Sequence, residues 1–358
     1  MSLYPGHQHS QKACHGKTDR TLVDNFNGQL KHFGFMAASL FLATLLAVSS
    51  QAADAKSVEQ RYARITDKAT KSLLLDVTRT ASGKRMVTVG DRGHILYSDD
   101  SGLSWLQAKV PTIQMLTAVT FSSQKIGYAV GHDALILKTE DGGESWAKVY
   151  SDLELQSPFL DVWFENDRHG IAVGAYGAII RTRDGGKTWS DIRDSIENEE
   201  ELHYNAIASD SGGTVYIVGE AGMLFRSKDQ GESWETLDSP YMGSWFGITS
   251  GRDEVLVHGL RGTIYSSSDQ GDSWQSLNSG TRQTLFGSIH LDNGKTVFVG
   301  NSGSFLSGTA GGWNSVNRND RMSLNALTAG DDGSIVVVGQ GGVHRMSAQG
   351  EELDAKDK

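Results

Sequence analysis

Met115-Leu116-Thr117-Ala118-Val119-Thr120-Phe121, Gly127-Tyr128-Ala129-Val130-Gly131, Leu135-Ile136-Leu137-Lys138-Thr139 and Trp146-Ala147-Lys148-Val149 follow one another within residues 115–149. Each run is short, rich in β-branched or aromatic residues, and bounded by turn residues, so each reads as a strand. No helical period survives across the unit. The unit recurs. Gly90, Gly131, Gly174, Gly219, Gly259, Gly300 and Gly339 mark seven copies at intervals of 39 to 45 residues. Four short strands in a period of this size describe a propeller blade. The expected fold is all-β: a seven-bladed β-propeller of four-stranded blades.

The turn between the third and fourth strands carries a motif of its own, Ser/Thr-x-Asp-x-Gly-x-x-Trp. Its five copies are Ser98-Asp100-Gly102-Trp105, Thr139-Asp141-Gly143-Trp146, Thr182-Asp184-Gly186-Trp189, Ser227-Asp229-Gly231-Trp234 and Ser267-Asp269-Gly271-Trp274. The carboxylate and hydroxyl can accept backbone N–H bonds inside the turn. Glycine permits the reversal. Burying the Trp, roughly 150–250 Å² of aromatic surface, contributes at most about 4–6 kcal/mol. This is the Asp box, and we expect it to be structural.

The sixth blade departs from the motif at Ser307-Gly308-Thr309-Ala310-Gly311-Gly312-Trp313. The seventh ends at Val343-His344-Arg345-Met346 with no Trp. The seventh blade therefore lacks its outermost strand. The segment near Arg61-Tyr62-Ala63-Arg64-Ile65 is expected to supply it as an N-terminal outer strand, closing the ring and covering an open edge. The propeller is then expected over residues 56–349, with a polar tail at 350–358.

Composition narrows the function. With 33 basic and 43 acidic residues the net charge is −10, so a bulk nucleic-acid footprint is not expected. Cys14 is the only cysteine, which rules out an intramolecular disulfide. No metal-ligand spacing or cofactor motif occurs, and neither a metal nor a cofactor is expected. Lys31 and His32 precede an apolar stretch from Phe33 to Val48 and a small-residue segment ending Ala52-Ala53. These predict an export signal over 30–52, cleaved after Ala52. Its apolar stretch would cover roughly 24 Å as a helix, short of a ~30 Å hydrocarbon core. Residues 1–29 read as a dispensable leader. Export implies the periplasm, or the thylakoid lumen of a photosynthetic cell, with possible membrane association.

Asp161-Val162-Trp163-Phe164, Gly170-Ile171-Ala172-Val173-Gly174 and Gly177-Ala178-Ile179-Ile180-Arg181-Thr182-Arg183-Asp184-Gly185-Gly186-Lys187-Thr188-Trp189 together resemble the photosystem II stability/assembly factor family. The resemblance runs over roughly residues 70–346. It implies an exported, non-enzymatic propeller that assists assembly of a membrane or envelope protein complex. That client would be photosystem II in a photosynthetic organism and otherwise a complex such as a transporter. No catalytic motif is carried over. The alternative is a glycan-binding or sialidase-like Asp-box protein, but the Arg-Ile-Pro motif of sialidases is missing.

Two aspartates, Asp76 and Asp161, occupy equivalent places in first strands where other blades carry Ala118, Ala206, Gly247, Gly287 and Ala326. They are expected near the axis, bonded to backbone rather than acting as a catalytic pair. The face bearing the turns between second and third strands is the expected binding surface. Arg92, Arg261, Arg282, Arg318 and Arg321 fall on one half of it. Asp133, Asp152, Glu154, Glu197, Glu199, Glu200, Glu201 and Glu220 fall on the other. Tyr176, Tyr241 and Trp245 lie near the same rim. Arginine with aromatics is the composition of protein-binding surfaces. Nothing in the sequence specifies self-association, and a monomer is the expectation.

Overall fold

The computed structural model describes residues 61–353, apart from 82, 252 and 253. The expected leader, export signal and Cys14 lie outside the described residues. Those residues form seven antiparallel blades in sequence order. Six have four strands, for example Leu74–Arg79, Met86–Gly90, Ile95–Ser98 and Leu106–Gln107 in blade 1. The innermost strands are Leu74–Arg79, Leu116–Phe121, Phe159–Phe164, Tyr204–Ser209, Trp245–Ser250, Leu285–His290 and Leu324–Ala329. The only helical elements among the described residues are three-residue 3-10 turns, and no helix is long and apolar enough to cross a membrane.

The core lies between blades. In every blade all five residues of the second strand are buried. That explains their near-continuous apolar character, since each sheet is covered on both faces. Val87, Val89 and Ile95 of blade 1 meet Leu116, Val119, Phe121 and Trp146 of blade 2. Leu74, Val77, Leu96 and Trp105 of blade 1 meet Val338 of blade 7 in the same manner, so the ring closes.

The repeated glycine has a steric cause. In blade 3 the backbone of Gly174 is extended (φ −168°), a conformation open to any residue. A Cβ there would sit 2.2 Å from the Pro158 carbonyl oxygen. The approach is that close because Ala175 N–H donates to that same carbonyl at 3.0 Å. All seven blades repeat the bond: Asp91 to Leu73, His132 to Met115, Ala175 to Pro158, Glu220 to His203, Leu260 to Ser244, Asn301 to Thr284 and Gln340 to Ser323. One residue per period thus ties the second-to-third turn to the crossover entering the same blade.

The five Asp-containing turns are built alike. In blade 2, Thr139 Oγ1 donates to Asp141 Oδ1 (2.8 Å) and accepts from Gly143 N–H (2.9 Å). Asp141 then accepts from Ser145 N–H (3.0 Å) and Ser145 Oγ (2.5 Å). Ser104, Thr188, Ser233 and Ser273 occupy the same place before the Trp. This second hydroxyl belongs to the motif, although the sequence pattern left that position open. The turn glycines have positive φ and press on the preceding blade, Gly143 against Val87 and Gly186 against Tyr128. On this face arginines also staple neighbouring blades. Arg181 donates to Gly231 O (2.8 Å), Arg226 to Gln270 O (2.6 Å) and Arg345 to Ser101 O (2.9 Å).

The seventh blade corrects the expected closure. Residues 61–66 do not pair with it. Ala63 N–H donates to Val110 O (2.9 Å) and Gln107 bridges Arg64 O and Thr66 N–H, so this segment follows the outer edge of blade 1. The outer place of blade 7 is taken from the C-terminal side. After Gly342–Met346 the chain reverses at Ser347–Gly350, and Leu353 N–H donates to Arg345 O (2.8 Å). Glu352 anchors the segment to Arg318 (3.1 Å) and His344 (3.2 Å). The N-terminal segment instead reaches blade 7 at the turn between its second and third strands, where a Cβ on Gly342 would strike Thr70 O.

Candidate functional site

The turns between second and third strands and the blade crossovers lie on one face. The hydrogen bonds of the Gly-anchored turns hold each tip residue in the left-handed region. The tips are Arg92 (φ 56°), Asp133 (60°), Tyr176 (55°), Ala221 (50°), Arg261 (58°) and Ser302 (55°), with Gly341 in blade 7. A non-glycine residue in that region costs free energy. The fold meets that cost in six of seven blades, and the result is a rigid circle of outward side chains.

Around this circle the chemistry is divided. Arg92, Arg261, Arg282 and Arg321 are exposed, in an arc running from blade 5 through blade 7 to blade 1. Arg261, Arg282 and Arg321 make no ion pair among the described residues, and Arg92 meets only its neighbour Asp91 at 3.4 Å. The opposite arc carries Glu154, Glu197, Glu199, Glu200 and Glu201, all exposed. Asp133 is bonded to Gln114, Asp152 caps Glu154 and Leu155 N–H, and Glu220 faces His203. Exposed apolar side chains lie across both arcs: Ile113, Leu153, Tyr176, Met242 and Met322. Tyr176 stands edge-on to His203, ring centroids 4.8 Å apart. Apart from Tyr176, sequence reasoning missed this set, because isolated apolar residues in crossovers carry no periodic signal.

Three residues expected on the rim have other work. Trp245 is fully buried as the first residue of its strand, with its indole N–H on Ser239. Tyr241 is half-buried against it, centroids 5.4 Å apart. The Arg318 side chain is only 8% exposed and is held by Asp320 and Glu352. Its guanidinium fastens the C-terminal segment and is not free for a partner.

Asp76 and Asp161 lie beside the axis. Asp76 accepts from Val77 N–H (2.8 Å) and, across the blade boundary, Val119 N–H (2.8 Å). Asp161 accepts from Val162 N–H (2.7 Å) and Ile207 N–H of blade 4 (2.9 Å). These are the backbone bonds expected of them. Burial pushes their carboxyls up, to about 6 for Asp76 and about 7 for Asp161, where the Asp76 charge adds to the effect.

The model of one family, photosynthesis system II assembly factor YCF48, matches residues 53–155 and 147–358. Among curated proteins none matches the chain in sequence. Among solved structures, YCF48 bound to D1 peptide is similar at 17% identity and a TM-score of 0.63, covering 79% of this chain and 94% of that one. YCF48 from Cyanidioschyzon merolae is similar at 16% identity and a TM-score of 0.63, covering 79% and 97%. A streptogramin B lyase is similar at 14% identity and a TM-score of 0.67, covering 79% and 95%. At these identities the likenesses show a shared propeller fold.

Proposed function

Because the chain belongs to the photosynthesis system II assembly factor YCF48 family, we propose that its turn-bearing rim holds a segment of a membrane protein of the photosystem II type during assembly, without catalysing a reaction. The observation that carries this reading is the arc of exposed arginines, with Arg92, Arg261 and Arg321 on left-handed turns, Arg261, Arg282 and Arg321 without ion-pair partners, and the exposed Met242 and Met322 beside them. Arginine pairs bidentately with carboxylates, and apolar anchors supply the contact area a peptide needs. A related YCF48 has been solved with a D1 peptide bound. That is the kind of occupant this rim suits. Nothing in the comparisons favours a transporter.

The reading includes export, with cleavage after Ala52 placing the rim in the compartment where lumenal or periplasmic segments of such a client emerge. Affinity of the full chain for a labelled D1 peptide tests the binding reading. Saturable binding that weakens with added salt supports it, and no binding at low salt rejects it. Turnover in a glycosidase screen would reject the non-enzymatic part.

A further inference from the structure

The rim does not use the axis of the ring, where the innermost strands enclose a cavity of about 520 Å³. Asp76, Thr117, Asp161, Asn205, Ser288 and Asn325 are among the residues that line it. Several of its side-chain donors bond the protein itself. Asn205 Nδ2 donates to Trp245 O (2.7 Å), Asn325 Nδ2 to Leu74 O (2.9 Å) and Thr117 Oγ1 to Phe159 O (2.6 Å). His258 Nδ1 lies 3.2 Å from Leu285 O, which only accepts, so that nitrogen carries the proton. Nε2 is then an acceptor, and Ser288 Oγ donates to it at 2.8 Å. Each of the two amides keeps a second N–H, and the acceptor capacity left in the wall is the second lone pairs of two carboxylates, two amide oxygens and a hydroxyl oxygen.

The wall also lacks a balancing cation. Among the described lining residues the titratable groups are Asp76, Asp161 and His258, with no Lys or Arg. His258 is held down to about 4 by burial and is neutral near pH 7. The ring geometry does not require the acid pair, since five blades have Ala or Gly at the same place. Asp76 and Asp161 come from blades 1 and 3. Phe246 and Phe286 line the blade 5 and 6 side, edge-to-face with centroids 5.5 Å apart.

We propose that this axial cavity binds a primary ammonium group, its N–H bonds given to the Asp76 and Asp161 carboxylates and neighbouring acceptors, with the aromatic pair beside its positive charge. Two carboxylates with no balancing Lys or Arg in the wall favour a cation, and aromatic faces attract organic ammonium. The volume lies within the ~300–1,000 Å³ of small-molecule sites. A bare metal ion fits less well. Among the described residues no three His, Cys, Asp or Glu converge, and each carboxylate oxygen already accepts a backbone N–H. Binding favours the ionised acids, so it releases protons near neutral pH and fades as the medium becomes acidic.

Calorimetric titration of the full chain with cadaverine tests this. One saturable site at about pH 8 is expected, weakening at least about tenfold by about pH 5.5 as the acids protonate. Near pH 7 the heat should vary with the buffer's ionisation enthalpy, which reports proton release in the unmodified protein. The paired variant Asp76→Asn with Asp161→Asn should lose the site, and Phe246→Leu should weaken it several-fold, while Glu199→Gln on the rim changes nothing. Titration with N-acetyl-lysine methylamide separates sources. Comparable binding indicates a lysine of a partner, whereas binding of the diamine alone indicates a free amine. No cadaverine binding, binding unchanged in the Asp variants, or Asp-dependent calcium binding in place of the amine would overturn the proposal.

Discussion

Gly174 shows how a residue can be fixed by its neighbours rather than by its own dihedral angles. Its extended backbone would suit any side chain, yet a methyl group would press on Pro158 O. Gly174→Ala should therefore cost about 2–3 kcal/mol in chemical unfolding. Gly213, whose Cβ would meet nothing within 4 Å, should lose only about 1 kcal/mol on the same change, from its positive φ. The turn aspartates make a second residue-scale prediction. Their hydrogen bonds hold the carboxyls of Asp184, Asp229 and Asp269 down at about 2. A depressed carboxyl stabilises the fold above its unfolded value of about 4, and that contribution disappears as pH falls toward about 2. Asp76 and Asp161 act in the opposite sense. Their folded values of about 6 and 7 exceed the unfolded one, so their contribution declines as pH rises from about 4 through 7. The melting temperature should be higher near pH 5 than near pH 8. That difference should shrink in the paired Asp76→Asn, Asp161→Asn variant and persist in Asp184→Asn. The glycines and the Ser/Thr-Asp turns were legible in sequence because each recurs with a fixed spacing. The burial of Trp245 was not, because its aromatic neighbours Tyr241 and Tyr265 come from different segments.

At the scale of elements, the informative case is the outer place of blade 7. Counting strands per period located the missing strand but could not say which end of the chain fills it. Arg61-Tyr62-Ala63-Arg64-Ile65 has the more strand-like composition, yet Tyr62 and Ile65 are exposed and the segment lies against blade 1. Glu351-Glu352-Leu353 looks like a solvated tail. It docks because Glu352 meets Arg318 of the preceding crossover and His344 of the blade's own third strand. Truncation after Gln349 should expose the backbone edge of Gly342–Met346, lower the melting temperature and cause concentration-dependent self-association in sedimentation. Arg318→Glu should give the same effects more weakly, by releasing the segment without removing it. A truncated chain that stays monomeric with unchanged melting would show that the segment covers nothing important.

For the whole molecule, seven similar units differ where they face outward. The buried second strands and the turn motif repeat and build the ring. The tips and crossovers do not repeat, and they divide one face into a cationic and an anionic arc. The division was legible in the sequence because the blade period assigns every loop to a face and a sector. Which arginines remain available was not, because that depends on partners such as Glu352 that only the folded chain brings to Arg318. Peptide association by the arginine arc should slow as salt rises, with the off-rate changing less. The most direct test of the rim as the partner site is the D1-peptide affinity of the unmodified chain beside that of the Arg261→Glu, Arg282→Glu, Arg321→Glu triple variant, measured by fluorescence anisotropy at low salt. These side chains are exposed and unpaired, so the variant should fold and melt as the parent does. A loss of at least about tenfold, or about 1.4 kcal/mol, is the predicted result. Equal affinity in the two proteins would contradict the account.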